Sequence, residues 1–310
     1  MTIKPGIKAI LWMLPGAAIM LALILAVAHF QKAEDPARQL AFKARRVDLV
    51  SRMQLGISSA SEAEKSAVLA ITDRDSQVFA DRAREATAVV ERERGELGEI
   101  LKTGGTQGER DLLAQFSRAF AEFQRIDTGL LDLAVRNTNL KAYGLAFGPA
   151  AQEVEQMNAA LSRMVTAHID SPEAKKIMLL AYRAETAALR IQASLAPHIA
   201  EEENLKMDRM EASMRKEDGL VRKDLDGLTA LVDGDAGLAQ AVSHYTRFSR
   251  IRTRILALSR ENTNVRSLSI SLNEKLKVTL LCQATLDALR QAIMDEPIAG
   301  VTYGRPARPR

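Results

Sequence analysis

Residues 260–268 read RENTNVRSL, and the triplet Asn262-Thr263-Asn264 inside them occurs once before, as Asn137-Thr138-Asn139 within VRNTNLKAY, 125 positions upstream. Set against each other at that offset, residues 112–161 and 237–286 need no gap and share fourteen identities over fifty positions. Ordinary residue frequencies would give roughly three. The shared residues include LAQ (113–115 and 238–240), Phe123 with Phe248, Arg125-Ile126 with Arg250-Ile251, and the triplet itself. The chain carries an internal duplication.

Apolar residues on either side of the triplet show what is duplicated. Phe116, Phe120, Phe123, Ile126, Leu130 and Leu133 recur at spacings of 4, 3, 3, 4 and 3, and Ala241, Tyr245, Phe248, Ile251, Ile255 and Leu258 repeat the pattern. Such spacing is one buried stripe of an amphipathic helix. After the triplet a second stripe is expected, through Leu140, Tyr143, Phe147, Ala151, Val154, Met157, Leu161 and Met164. Its counterpart is Val265, Leu268, Leu272, Leu276, Thr279, Cys282, Leu286 and Leu289. Asn enters the left-handed conformation at helix ends, and Asn or Thr side chains accept from the exposed amides that open the next helix. The triplet therefore reads as a helix-to-helix corner. Two alternatives stay open: a polar ligand held by Arg136 and Asn137, or by Arg260 and Asn262, and a continuous helix with the triplet on its outer face.

Upstream of each duplicated pair lies another helical pair. The first breaks near residues 73–76 and ends at Gly104, Gly105 and Gly108. The second opens at Ser171-Pro172-Glu173, where Ser is a natural cap and Pro a natural first helical residue. Residues 59–70 resemble 180–191, with Ala63-Glu64 matching Ala184-Glu185. The predicted fold is all-α: two tandem up-down four-helix bundles over 37–169 and 170–295, then a flexible tail over 296–310.

Composition agrees with that class. Of 310 residues 47% are apolar and 26% charged, thirteen are aromatic, and no alternating β-branched run occurs. Leaving aside Lys4 and Lys8, 41 basic residues face 39 acidic ones. No basic face is interleaved with aromatics, so nucleic acid is not an expected partner. The single Cys282 excludes an intrachain disulfide.

Residues 9–30, AILWMLPGAAIMLALILAVAHF, carry no charge and can span a hydrocarbon core of about 30 Å. They read as a transmembrane helix preceded by a cytoplasmic segment, residues 1–8. A cleaved signal peptide is the alternative, because Ala26-Val27-Ala28 fits a cleavage site. Both readings export the remainder. The basic residues 32, 38, 43, 45 and 46 just after the helix argue for the opposite orientation on the positive-inside rule. A short basic amino terminus before one apolar helix nevertheless favours export.

A membrane helix running into AEKSAVLA (63–70), a turn with Asp, a charged second helix, the LSRENTN corner (258–264) and a last helix ending in TLDALRQAI (285–293) resembles the four-helix-bundle ligand-binding domain of methyl-accepting chemotaxis receptors and related sensor kinases. Two bundles in series are similar to the bimodular helical sensor domains of some chemoreceptors. The resemblance rests on helical pattern and implies a sensory role in signal transduction at the bacterial inner membrane, with the main domain in the periplasm. It also implies a homodimer or a partner receptor, and a small organic solute as ligand. The chain departs from the family in showing no second membrane helix or signalling tail.

No phosphate loop, dinucleotide fingerprint, zinc-spaced cysteines or nucleophile elbow occurs, so no catalytic residue, metal or cofactor is assigned and an enzyme is not expected. His198 with Glu201 and Glu202 lacks the second Glu-x-x-His that a di-metal bundle needs. Cys282 aligns with Met157 on an apolar stripe and reads as buried and inert, and Met207, Met210 and Met214 read as core. For a carboxylate ligand the candidates are Arg52, Arg183 and Arg190, whose planar forks suit it, with Arg136, Asn137, Arg260 and Asn262 ranked below. Surface pairing of those arginines with Glu62, Glu64 or Glu185 is the competing expectation. The functional expectation is a membrane-anchored, extracytoplasmic sensory protein. A structural or adaptor bundle without a small ligand is the alternative.

Overall fold

The computed structural model describes residues 36–298, and every regular element in them is helical. In chain order these are α1 (Pro36–Leu69), α2 (Asp73–Gly104), α3 (Gln107–Ala134), α4 (Thr138–Leu145), a π-turn (Ala146–Ala150), α5 (Ala151–Ala167), α6 (Ala174–Ala200), α7 (Asn204–Thr229), α8 (Ala236–Glu261), α9 (Thr263–Ile270), a second π-turn (Ser271–Lys275) and α10 (Leu276–Asp295). The proposed membrane helix, residues 9–30, and most of the tail lie outside the described residues. Within them no helix is long and apolar enough to cross a membrane.

Local chemistry sets the helix ends. Thr106 and Glu109 form a reciprocal capping box at α3: the Glu109 amide donates to the Thr106 hydroxyl at 3.2 Å and the Thr106 amide to the Glu109 carboxylate at 2.9 Å. The Asp75 amide donates to Thr72 Oγ1 at 3.0 Å, and the Leu238 amide to Asp235 Oδ1 at 2.8 Å. Before Asp235 the chain turns at Gly234, whose φ of 77° a side chain would resist. Ser171 accepts from the Glu173 amide as expected, but Pro172 lies in a turn and α6 begins two residues later.

The described chain divides into two compact units. One comprises 36–55, 90–117 and 283–298, and the other Gly56–Val89 and Arg118–Cys282. In the first, Leu49, Val50 and Met53 of α1, Leu97 and Leu101 of α2, Phe116 of α3, and Leu286, Leu289 and Ile293 of α10 are buried. At its polar edge the Arg46 guanidinium, itself buried, donates to both Glu109 oxygens at 2.8 and 2.9 Å and also meets Glu296.

In the second unit a continuous core joins Ala142, Ala146, Ala150, Val154, Met157, Leu161 and Met164 to Ile177, Ala184, Ile191 and Leu195 of α6, Met214, Val221 and Leu225 of α7, and Tyr245, Phe248 and Ile255 of α8. The helix that follows the first triplet thus packs with the three helices of the second copy. Its counterpart packs with the first copy: Ser61 of α1 lies 3.4 Å from Thr279 of α10, Lys275 meets Asp127 of α3, and in the first unit Gln54 donates to Asp287. The fourth helices are exchanged between copies. A division at 169/170 would leave 138–167 with the first copy, whereas its core partners are 177–258.

The π-turns fall at the same place in each copy, 125 residues apart, and they correct the second stripe. Tyr143 is only partly buried, Phe147 is 69% exposed, and Leu268, Leu272 and Leu276 are exposed as well. The buried positions are 142, 146, 150 and 154 in one copy and 267, 271, 275 and 279 in the other. Three successive spacings of four would drift about 120° around an α-helix, and the wider π-turn absorbs that drift. Pro149 sits in the first π-turn, but the second contains no proline, so the register and not the ring is the common cause.

Candidate functional site

The two Asn-Thr-Asn triplets meet. Asn137 and Asn262 both adopt the left-handed conformation, with φ of 50° and 51°, so each is a corner as the sequence predicts. Each corner then caps the helix that leaves the other. The Thr138 amide donates to Thr263 Oγ1 at 3.2 Å and the Thr263 amide to Thr138 Oγ1 at 3.1 Å. The Asn139 amide donates to Asn264 Oδ1 at 3.2 Å and the Asn264 amide to Asn139 Oδ1 at 3.1 Å. Asn139 Nδ2 reaches Asn262 Oδ1 at 2.7 Å, and Asn264 Nδ2 reaches Asn137 Oδ1 at 2.9 Å. Except for Asn264, which is half-buried, the residues of this pseudo-two-fold knot are buried, and they bond largely to one another as a structural joint does.

A second network runs from the knot. Asn139 and Asn262 also donate to the carbonyls of Ile199 and Glu201. Beside them His198, fully buried, contacts Ser259 Oγ through Nδ1 at 2.8 Å and Glu211 through Nε2 at 3.0 Å. Burial holds the imidazole below its ordinary pKa, against the pull of Glu211. Arg260 is committed to Glu211 at 2.7 Å and Asp208 at 2.5 Å. Glu201 and Glu202 do not meet the His198 ring, and no cluster of three metal-ligating side chains occurs among the described residues.

The arginines put forward from the sequence lie at the surface in ion pairs. Arg52 is half exposed and meets Asp48 at 3.0 Å and Glu93 at 3.9 Å. Arg183 meets the buried Asp224 at 3.2 Å, and Arg190 lies 3.7 Å from Glu217. Arg183 and Arg190 share α6 but use different carboxylates of α7. Arg136 is exposed beside its corner. A shallow recess of about 260 Å³ between α1 and α2, lined by Ser59, Glu62, Ser66, Phe79 and Arg82, includes none of these candidates.

The site that sequence reasoning missed sits at the second π-turn. Where the first copy places Ala142, Ala146, Ala150 and Val154 in an apolar core, the second places Ser267, Ser271, Lys275 and Thr279, all buried. Lys275, 1% exposed, puts its ammonium against Asp127 Oδ1, 3.4 Å from the Phe123 carbonyl and 3.1 Å from the centroid of the Phe123 ring. Thr279 donates back to the Lys275 carbonyl at 2.8 Å. On α1, Glu64 is 1% exposed and neither of its oxygens has a hydrogen-bond donor in bonding geometry.

Burial dominates the electrostatics here. It pushes the carboxyls of Asp127 and Glu64 up and the Lys275 ammonium down, although the Lys275–Asp127 contact opposes the shift of both partners. Ser271 and Lys275 only partly offset the desolvation of Glu64. Cys282, one turn beyond Thr279, is buried with its thiol pushed up to about 12, and so stays a neutral thiol. The signal available in the sequence was Lys275 standing at the place of Ala150 in the duplicated register.

Chemically the cluster is an ion pair plus a lone carboxyl in a helix-packed interior, at a turn with non-standard backbone bonding. A bonded pair of that kind contributes little net stability, but either partner left alone is costly. No protein-family model matches the chain, and no curated protein matches it either.

Proposed function

We propose that this chain is a membrane-anchored sensory bundle of the chemoreceptor-like type, anchored by residues 9–30 with the helical part on the extracytoplasmic side. Its input is a small solute or ion read at the polar core around Lys275, and its output is a shift of the segment from α9 to α10. One observation carries this reading. The same duplicated helix supplies an apolar face to one core and Ser267, Ser271, Lys275 and Thr279 to the other. Stability alone asks for no such asymmetry, because apolar replacement of a buried ion pair is often neutral or stabilising.

The test is a thermal-melting screen of the full chain in mild detergent against organic acids, amino acids and amines. A ligand at about 100 times its dissociation constant adds about 2.7 kcal/mol. A shift abolished by the paired change Asp127→Leu with Lys275→Met, in a chain that still folds, supports the reading. A shift abolished instead by Arg52→Ala or Arg183→Ala moves the input to the surface arginines.

A second reading, an adaptor bundle, is favoured by Leu268, Leu272, Leu276 and Leu280. They are 39–58% exposed and recur every four residues through α9, the second π-turn and α10. In that case no solute shifts the melt, and Leu276→Asn leaves the melt unchanged while abolishing association with the partner.

A further inference from the structure

The charges of the polar core do not close. Asp127 and Glu64 are two buried carboxyls, and Lys275, the cation of the cluster, is committed to Asp127 by direct contact. Around Glu64 stand Lys275 and the Ser271 hydroxyl from the second π-turn, Asp127 from α3, and Lys65 from its own helix. From α2, Arg84 acts on Asp127, and the Cys282 thiol of α10 lies near Lys275. With both carboxyls ionised, the cluster holds two negative charges and one positive charge out of water, and neither Glu64 oxygen receives a hydrogen bond of good geometry, although the Ser271 hydroxyl stands beside it. One positive charge is missing.

A metal ion is a poor candidate for it. Hard cations ask for about six oxygen ligands, and no group of three metal-ligating side chains gathers among the described residues. A hydrogen ion needs no coordination shell and turns an unsatisfied acceptor into a neutral acid with a donor of its own.

We infer that Glu64 is a proton-binding site: its carboxyl is held as the neutral acid while α1, α3 and the second π-turn are packed together, and its ionisation loosens that packing. The inference deepens the sensory reading, and rests on it for meaning, by naming the input as the hydrogen ion. Burial raises the Glu64 pKa, which agrees. The folded chain then keeps a proton that the unfolded chain releases. The stability this supplies is complete below the unfolded value of about 4.3 and is lost as pH rises through the folded value. Asp127, also raised, acts in the same direction. Lys275, lowered by burial, acts in the opposite sense at higher pH. A variant of Glu64 alone is therefore needed.

The experiment compares the full chain with its Glu64→Gln variant, in detergent, by melting from pH 4.5 to 8 in sodium and in choline buffers, together with infrared spectroscopy at pH 7. The proposal expects wild type to lose stability with rising pH by about tenfold in the folding equilibrium for each unit separating the folded from the unfolded pKa. Glu64→Gln, which keeps shape without the charge, should be flatter with pH and more stable than wild type at pH 8. Wild type should show the carbonyl band of a protonated carboxylic acid, absent from the variant. Absence of that band in wild type overturns the proposal, and this reading stands even if the variant fails to fold. Equal pH slopes in the two proteins also overturn it. Stabilisation by sodium over choline that disappears in Glu64→Gln reassigns the site to a cation. A solute screen without hits, beside a positive Glu64 result, would reject solute sensing and leave the proton site standing.

Discussion

Single residues carry the largest predicted effects where backbone and hydrogen bonding constrain them together. Asn262 is left-handed, buried, and bonded through its side chain to Asn139 and to the Glu201 carbonyl. Asn262→Ala strains the corner and strands two partners, for an expected loss of about 2–4 kcal/mol in a denaturant melt. Asn262→Gly removes only the strain and should recover about 1 kcal/mol of it. At Lys275 the sign depends on its partner. Lys275→Met alone leaves Asp127 buried and unpaired, at a cost of about 3–5 kcal/mol. Combined with Asp127→Leu, the change should range from neutral to a gain of about 1–4 kcal/mol, which a double-mutant cycle measures. Lysine hid this site from sequence reasoning, because a long cation is ordinarily read as surface. Only its pairing with Ala150 across the duplication shows otherwise. The asparagines were legible, because few other residues tolerate a positive φ.

Among the elements, the helix-and-corner pattern was legible from local chemistry, and the fourth-helix stripe was only half legible. Val154, Met157, Leu161 and Met164 are buried as the periodicity indicates, while Tyr143 and Phe147 are not. A periodicity argument assumes one constant angle per residue, and one π-turn rotates everything before it relative to everything after it. That gives a clean test. Asn273 is exposed within the second π-turn, so Asn273→Ala should change stability by less than about 0.5 kcal/mol. Deleting Asn273 should restore an ordinary helix, turn Ser267 and Ser271 away from the core, and cost more than about 3 kcal/mol in the same melt. Equal effects of the two changes would mean that the π-turn does not set the register.

For the molecule as a whole, the duplication was visible in the sequence, but the partner of each fourth helix was not. In sequence each copy of that helix shows an apolar stripe, and nothing local says which three helices a given copy joins. The packing makes a prediction about fragments. Residues 137–261 contain all the helices that share the core from Ala142 to Leu258. Expressed alone they should melt in one cooperative helical transition. Residues 36–169 carry a fourth helix whose core partners lie beyond residue 170, so that fragment should melt without a cooperative transition. Circular dichroism of the two fragments separates this arrangement from two bundles in sequence order.

The reciprocal capping at the knot bears on how such a chain could arise. A polypeptide with a single Asn-Thr-Asn corner has helix-opening amides that its own side chains leave uncapped, and a second identical molecule supplies the missing acceptors around a two-fold axis. Exchanging the following helix at the same point is domain swapping between twins. Joining the two genes end to end would keep every one of those bonds and replace a concentration-dependent meeting with a tethered one. The present chain has the form of a two-fold homodimer written into one strand. In one strand the two halves need not stay alike: one fills its core with alanine where the other places Lys275.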